Sequence, residues 1–368
     1  MSIDATSPRY ARQRTLSGFG VAGQEALAAA RVLVIGAGGL GCAVLPTLAA
    51  AGIGHLAIVD GDTVDESNLH RQTLYSLADV GRPKAEAAAE VLRTLSPDAD
   101  IVAHAAGFDA GTAATLAADV TLLIDATDNP AARYLANDLA ASLAIPLVWG
   151  SALGWVGQVG VAWDARGADY RDLFPTEPAV EGATCATVGV LPSVCTTIGG
   201  MMAGEALKIV SASGDPLVGR VLQFDARTGR VRELAFRRSA LRARGQASVS
   251  PGSPAAAPSA GSRPRALEPA ELKRMLDARE PLVLIDVREP WEAERVQIPG
   301  SLLVPFGNLA ARVAELDPAA PTIVYCHHGP RAFSAAEFLA RRGFGSVAVL
   351  NGGIDAWARE ADPMAARY

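Results

Sequence analysis

Residues 32–60 read VLVIGAGGLGCAVLPTLAAAGIGHLAIVD, and this stretch decides the fold. Val32 to Ile35 is a short continuous apolar strand, Gly36-Ala-Gly38-Gly39-Leu-Gly41 a glycine turn, Leu40 to Ala51 a run of helical period, and Leu56 to Asp60 a second strand. Strand, turn, helix, strand is the repeating unit of a parallel sheet, and an unbroken apolar run is what a strand covered on both faces needs. Glycines between strand and helix let backbone N–H groups approach a phosphate at the helix N-terminus. Asp60 lies 24 residues beyond Gly36, where a carboxylate can accept hydrogen bonds from a ribose. Taken alone, this loop permits a hydride-transfer enzyme that binds NAD.

The same rhythm continues along the chain. Runs at Thr121 to Asp125 and Leu147 to Trp149 alternate with Ala-rich helical stretches at Lys84 to Leu95 and Ala131 to Leu143. Gly157 to Trp163, Val221 to Asp225 and Val231 to Phe236 come next, with no long helix between the last two, and predict an antiparallel extension. From Arg237 to Pro269 the text turns to Ser, Pro, Ala and Gly with scattered Arg, the composition of a flexible linker. We therefore expect a first domain over residues 1–238, a linker over 239–265 and a second domain over 266–368. The second domain repeats a smaller rhythm, with strands at Leu282 to Asp286, Thr322 to Cys326 and Val347 to Leu350 and helices at Ala332 to Arg342 and near Ile354 to Glu360. The fold class is α/β: a Rossmann-like, mostly parallel sheet with an antiparallel extension, and a small α/β domain behind it.

Composition narrows the partners. The chain has 368 residues, 50% hydrophobic and 20% charged, and a net charge of -6 from 33 basic and 39 acidic side chains. Nothing in that balance favours a polyanion, so no nucleic-acid partner is expected. Four cysteines at 42, 185, 195 and 326 form no Cys-x-x-Cys pair and are too sparse for a disulfide framework, which points to reduced thiols in the cytoplasm. The N-terminal MSIDATSPRYARQR carries Asp4 and no apolar core, so it does not read as a secretory signal. The uncharged run Gly182 to Gly204 is broken by Pro192 and several Gly and Thr, and reads as loop plus buried helix, with no membrane span.

The residues just beyond the ribose-binding acid favour ATP over NAD. Asp62-Thr-Val-Asp-Glu-Ser67-Asn68-Leu-His-Arg71-Gln72 places amide and guanidinium groups directly after Asp60, and Gly81-Arg-Pro-Lys84 opens the next helix with a cation. Fixed cations beside a nucleotide suit a triphosphate. Asp125-Ala-Thr-Asp128-Asn129 ends a later strand at the same edge of the sheet, where a carboxylate can hold Mg²⁺ between phosphates. Hydride transfer needs none of these. Singly, Arg71 and Lys84 could be solvated surface charges and Asp128 a helix N-cap.

At these residues the sequence resembles the MoeB/ThiF family, bacterial relatives of ubiquitin-activating enzymes. The likeness runs from Arg9-Tyr-Ala-Arg12-Gln13 through GAGGLGC, DxDTVxxSNLHRQ, GRPKAE, DATDN and GATCATVGVLP. The resemblance implies adenylation of the C-terminal glycine of a small ubiquitin-like sulfur carrier of the MoaD/ThiS kind, ending in Gly-Gly. It implies that Gly39, Asp60, Asn68, Arg71 and Lys84 contact ATP, beside Gly36, Gly38, Gly41, Ser67, Gln72 and Asn129, and that Asp128 coordinates Mg²⁺. Arg12 would reach the phosphates from a neighbouring subunit, which implies a homodimer. Cys185, in Gly182-Ala-Thr-Cys-Ala-Thr-Val-Gly, aligns with the cysteine that relatives place near the adenylate; Cys42 and Cys195 are read as packing residues. Relatives commonly carry two Cys-x-x-Cys pairs on a structural zinc, whereas the matching stretch here is Asp169-Tyr-Arg-Asp172-Leu-Phe-Pro and no pair follows Phe236, so no structural zinc is expected.

Cys326-His327-His328-Gly329-Pro330-Arg331 follows a strand and opens a helix, so its backbone N–H groups can curl around the sulfur and stabilise a thiolate or persulfide. With Asp286-Val-Arg-Glu289, Ile298-Pro-Gly300 and Asn351-Gly-Gly-Ile-Asp-Ala-Trp357, this resembles a single-domain rhodanese, a sulfurtransferase. A metal reading of His327 and His328 is weak, because adjacent residues rarely share a tetrahedral site. The joint expectation is an adenylyltransferase and sulfurtransferase using ATP and Mg²⁺, fed by a cysteine desulfurase or thiosulfate and serving molybdopterin, thiamine, tRNA thiolation or another pathway. The alternatives are an NAD-binding oxidoreductase, or an adenylating enzyme with an inert rhodanese docking module.

Overall fold

The computed structural model describes residues 3–175, 177, 189–239, 264–327 and 329–362. Cys185, His328 and most of the expected linker lie outside the described residues. The described chain divides into two compact units, separated by residues 240–263.

In the first unit, β1 (Arg31–Ile35), β2 (His55–Val59), β3 (Asp100–His104), β4 (Leu122–Asp125), β5 (Leu147–Leu153), β6 (Val156–Ala162), β7 (Arg220–Asp225) and β8 (Arg230–Ala235) make one sheet in the order β3-β2-β1-β4-β5-β6-β7-β8. Strands β3 through β5 pair in parallel and β5 through β8 antiparallel, the mixed sheet the sequence predicts. The apolar run of β1 is explained by what covers it. Val32 and Val34 pack into one core with Leu45 and Leu48, whereas Leu33 and Ile35 pack into the other with Tyr134 and Trp149. Period-2 side chains therefore find an apolar layer on both faces.

The helices that supply those layers are α1 (Gly20–Ala29), α2 (Gly41–Ala51), α3 (Lys84–Leu95), α4 (Pro130–Ser142) and α5 (Pro192–Ser211). α5 takes in residues 192–204 of the uncharged run and continues through Glu205 and Lys208 to Ser211. Val194, Cys195, Ile198, Met202 and Ala203 are buried, and Gly199 lies so close to α2 that an added Cβ would stand 2.6 Å from Ala43 Cβ and 2.8 Å from Leu40 O. No helix among the described residues is long and apolar enough to cross a membrane.

The second unit is a parallel sheet of β9 (Arg265–Leu267), β10 (Val283–Asp286), β11 (Leu302–Leu303), β12 (Thr322–Tyr325) and β13 (Val347–Leu350) in the order β11-β10-β12-β13-β9. Helices α6 (Pro269–Asp277), α7 (Pro330–Arg341) and α8 (Gly353–Glu360) accompany it. Two separate apolar clusters, one containing Ile285, Val324 and Ala335 and the other Leu284, Ile323 and Trp357, again cover opposite faces of the central strands.

In the first sheet the chain runs outward from β1 through β2 to β3, then returns to the other side of β1 with β4. That reversal opens a crevice at the carboxyl ends of β1 and β4, the place where open α/β sheets bind ligands.

Candidate functional site

The glycine turn fills one wall of this crevice. Gly36 has φ +94, and a Cβ there would stand 3.0 Å from Ala126 O. Gly41 comes closer still, since its Cβ would lie 2.2 Å from Gly36 O. Gly39 backs onto Cys195, whose Sγ would be 2.9 Å from an added Cβ. The turn thus folds on itself and onto α5 at a distance that side chains forbid. Among the described residues no acceptor takes the amides of Gly38, Gly39 and Leu40, so three N–H dipoles are open where α2 begins.

Around the turn runs a closed ring of hydrogen bonds. Ala37 N donates to Asp60 Oδ2 at 2.7 Å and Asp62 N donates to Asp60 Oδ1 at 2.8 Å. Lys84 Nζ donates to Asp62 Oδ2 at 2.8 Å, and Lys84 N donates to Asp62 O at 2.9 Å. The Tyr75 hydroxyl, 3.2 Å from Lys84 O and 2.8 Å from Ala37 O, returns the ring to its start. Burial pushes the Asp60 carboxyl above its usual range, an effect partly offset by the amides of Ala37 and Asp62 and by Lys84. Each Asp60 oxygen spends one lone pair on the ring, which leaves a second for a ribose hydroxyl. No sequence pattern marks Tyr75 as a member of the site, because Ala37 and Lys84, whose carbonyls it meets, stand 38 and 9 residues away along the chain.

The other candidate residues divide by environment. Gln72 is 3% exposed, and its Oε1 is buried without a hydrogen-bond partner among the described residues. Its Nε2 would lie 3.7 Å from a Cβ on Gly38. A buried orphan beside an anion-ready turn fits a site built for a bound group. Arg71 Nη1 donates to Ser67 O at 3.3 Å, and Ser67 is held by Asp65. Asn68 Nδ2 reaches Ser67 Oγ at only 3.4 Å, leaving its amide largely unspent. Arg12 is exposed, and its guanidinium has no partner among the described residues.

The DATDN segment separates into two roles. Asp125, fully buried, pairs with Arg133 Nε and accepts Thr127 N at 2.9 Å. Arg133 also donates to Thr127 O at 2.7 Å and Gly150 O at 2.6 Å. Burial opposes the Arg133 charge, but Asp125 beside it outweighs that, so the guanidinium is held charged. This buried pair shapes the wall of the crevice and has no signature in the sequence. Asp128 is exposed and unpaired among the described residues. The helix cap is Asn129, whose Oδ1 accepts Ala132 N at 3.3 Å; Asp128 therefore does not cap α4, and Asn129 keeps its side-chain NH₂ and one Oδ1 lone pair for a ligand. A carboxylate left unspent just beyond the carboxyl end of β4 is of the type Mg²⁺ takes, one or two carboxylates plus phosphate oxygens.

Of the remaining cysteines in this unit, Cys42 and Cys195 are both 2% exposed. Burial pushes Cys42 up to about 12 and raises Cys195 as well. Both are protonated packing thiols.

In the second unit Cys326 directly follows β12 and is 1% exposed. Gly329 N donates to its Sγ at 3.1 Å, in a turn that Gly329 enters at φ +124. The loop is clamped from α8: Ile354 N donates to Cys326 O at 2.9 Å and Asp355 N to His327 O at 3.2 Å. Only glycine fits between them, since a Cβ on Gly353 would lie 2.3 Å from His327 O and 2.4 Å from Cys326 O. Arg331 donates two hydrogen bonds to Glu292, Nη1 to Oε2 at 2.6 Å and Nη2 to Oε1 at 2.7 Å. Burial pushes Glu292 up, but the Arg331 guanidinium and the Glu289 amide prevail and hold it below the usual carboxylate value. Behind the loop, fully buried Arg288 pairs with Asp286 and lies over the Tyr325 ring.

The stretch Asp169 to Pro175 is held by a polar clamp. Asp169 caps the turn Tyr170–Leu173 and accepts Asn137 Nδ2 at 3.3 Å, while Asn137 Oδ1 accepts Tyr170 N at 3.0 Å. Arg171 pairs with Asp138 at 2.6 Å. Asp172 Oδ1 accepts Ser239 N at 2.9 Å, and Arg238 donates to Gly167 O and to Asp164. Asp169 and Asp172 thus both accept hydrogen bonds within the clamp.

Comparison with known proteins identifies the family. The ThiF family matches residues 10–243 and the rhodanese-like domain residues 268–360. The chain is 38% identical over 372 residues to the probable adenylyltransferase/sulfurtransferase MoeZ of Mycobacterium tuberculosis, covering 98% of this chain and 95% of that one. It is 36% identical to the adenylyltransferase and sulfurtransferase MOCS3-1 of Zea mays, over 96% of this chain and 82% of that one. Among solved structures, E. coli MccB with ATP shares the fold at a TM-score of 0.56 and 19% identity, covering 64% of this chain and 73% of that one. The relatives are named for nucleotidyl and sulfur transfer, so the oxidoreductase reading that the glycine turn alone permits is set aside. The chain belongs to the ThiF family and carries a rhodanese-like domain behind its ThiF region.

Proposed function

We propose that this enzyme uses ATP to adenylate the C-terminal glycine of a small ubiquitin-like sulfur carrier, then converts it to a thiocarboxylate with sulfur held on Cys326. The observation that carries this reading is the presence, on one chain, of an amide turn ready for phosphate and a cysteine loop ready for sulfur. The carrier carboxylate attacks the α-phosphorus of ATP, and the bond to pyrophosphate breaks. The open amides at Gly38 and Gly39, with Arg71 and Lys84, stabilise charge on the phosphates as it shifts to the leaving group. Asp60 orients the ribose. Asp128 would hold Mg²⁺, which supplies further charge neutralisation on the phosphates when bound. Arg12, exposed and unspent, would serve the nucleotide of a partner subunit in a homodimer.

The acyl adenylate turns an unreactive carboxylate into an electrophile. The terminal sulfur of a Cys326 persulfide attacks the acyl carbon and AMP leaves, giving an acyl disulfide. A second thiol, assigned to Cys185, attacks the Cys326 sulfur; the thiocarboxylate departs, and the Cys326–Cys185 disulfide is later reopened by a thiol reductant. The molecule acts on protein and nucleotide substrates in the cytoplasm, and the sulfur reaches Cys326 from thiosulfate or a cysteine desulfurase.

The test is intact-mass analysis of a Gly-Gly-terminated carrier incubated with the full chain, ATP, Mg²⁺ and either sulfur source. A mass gain equal to exchanging oxygen for sulfur is expected, and Cys326→Ala should abolish it while still releasing pyrophosphate. If Cys326→Ala also stopped pyrophosphate release, the division of labour between the two units would be wrong.

A further inference from the structure

Lys84 and Asp62 form an asymmetric pair. The Lys84 side chain is 7% exposed and that of Asp62 is 74% exposed, yet their charged atoms stand 2.8 Å apart. The ammonium has been drawn out of water and paired directly with the Asp62 carboxylate, with the charge of buried Asp60 close by, whereas the Asp62 carboxylate can return to solvent at little cost. Their main chains are meanwhile fixed. Lys84 N is bonded to Asp62 O, Asp62 N to Asp60 Oδ1, and Tyr75 ties Lys84 O to the glycine turn. Only the side chains are at liberty to exchange partners. A phosphate arriving at the amides of Gly38 and Gly39 meets a lysine already engaged by an acid on the solvent side.

We propose that Asp62 is a positioning residue that competes with nucleotide phosphate for Lys84: it holds the ammonium beside the glycine turn before ATP arrives and takes it back as pyrophosphate leaves. This rests on the reading that Lys84 serves the phosphates of ATP. A carboxylate sharing a cation with a phosphate weakens the phosphate's hold, so the pair trades binding strength for release of an anionic product. The trade matters here because pyrophosphate carries most of the charge of the triphosphate and would otherwise linger among the amides and cations of the site.

Asp62→Asn tests this in the full chain, because asparagine keeps the shape and both backbone bonds and removes only the charge. Equilibrium binding of ATP should tighten about fivefold, the size of one unit-charge interaction at about 4 Å in a water-like dielectric. Inhibition by pyrophosphate should tighten by a similar factor, while adenosine, which has no phosphate, binds as before. In a Lys84→Met background the same substitution should change none of these, because the competition acts through the lysine. Unchanged or weaker ATP binding by Asp62→Asn overturns the proposal, as does a parallel change in adenosine binding, which marks a merely structural role. A wild-type chain that binds neither ATP nor adenosine would remove the nucleotide-site reading together with this one.

Discussion

The carboxylate of Asp172 accepts the backbone amide of Ser239 at 2.9 Å, joining the turn after β6 to the segment that leaves β8. Arg238 makes a second tie between the same regions through Asp164 and Gly167. Side-chain hydrogen bonds therefore hold the turn after β6 to the chain beyond β8. Asp169 is the centre of this clamp, at 1% exposure. Asp169→Ala should lose the cap and strand Asn137, lowering stability by about 2–4 kcal/mol. Asp172→Ala, which is less buried, should cost about 1–2 kcal/mol. Thermal unfolding of the full chain checks both, and the wild-type transition should not move when a strong chelator is added. A chelator-sensitive midpoint would mean that a metal, not the clamp, holds these segments.

Gly41 is the position in the nucleotide turn where a methyl group has nowhere to go. Its Cβ would meet a backbone oxygen, Gly36 O, at 2.2 Å, and neither the turn nor the first turn of α2 can yield without moving the open amides. Gly41→Ala should weaken ATP binding at least about tenfold, in line with overpacking strain of about 1–3 kcal/mol. The same substitution should leave loading of Cys326 with sulfur intact. Titration calorimetry with ATP and mass analysis of Cys326 separate the two effects.

The parts of this molecule that are legible in the sequence are those whose causes are local. β1, α2, β2 and the glycine turn lie in one stretch, and α3 begins and ends where its Ala-rich period does. β3 has no such signal, because Asp100–His104 starts and ends on polar residues and sits at the sheet edge, paired on one side only. β9 and β11 have 3 and 2 residues, too few for a period to show. The crevice needs more than pattern. Asp125 and Arg133 lie on opposite sides of a helix start, and Asp62 and Lys84 are 22 residues apart, so only the folded chain brings each pair into contact. Sequence can assign residue types to the site, but the ring that joins Ala37, Asp60, Asp62, Lys84 and Tyr75 depends on tertiary distances.

Glu292 gives the second unit a pH dependence of known sign. Its carboxyl titrates below the usual 4.5 because Arg331 binds its ionised form. A depressed acid contributes stability that is fully present above its unfolded value and is lost as pH falls through the folded one. The wild-type unit should therefore weaken as pH drops below about 4.5. Glu292→Gln should be less stable at neutral pH and should show a shallower slope in that acidic window. Calorimetric unfolding across the range checks the sign, and a Gln variant with the wild-type slope would remove Glu292 from the account.

Gly353 governs the sulfur loop from outside it. Its backbone has φ +60, and a side chain would strike His327 O and Cys326 O at 2.3 and 2.4 Å, the two carbonyls that Ile354 N and Asp355 N hold in place. Both contacts are to backbone, so no rotamer change relieves them. Gly353→Val should push α8 off the loop and disturb the amide that Gly329 directs at Cys326 Sγ. The expected outcome is loss of sulfur loading at Cys326 by at least about tenfold, with overpacking and left-handed strain together costing about 2–5 kcal/mol. Pyrophosphate release should survive, because the adenylation proposed above uses residues of the first unit. Peptide mass analysis of Cys326 after exposure to a sulfur donor, beside a pyrophosphate assay on the same preparation, measures both. If Gly353→Val loaded Cys326 at the wild-type rate, the clamp from α8 would have no part in shaping the loop, and the sulfur would owe its environment to residues 326–331 alone.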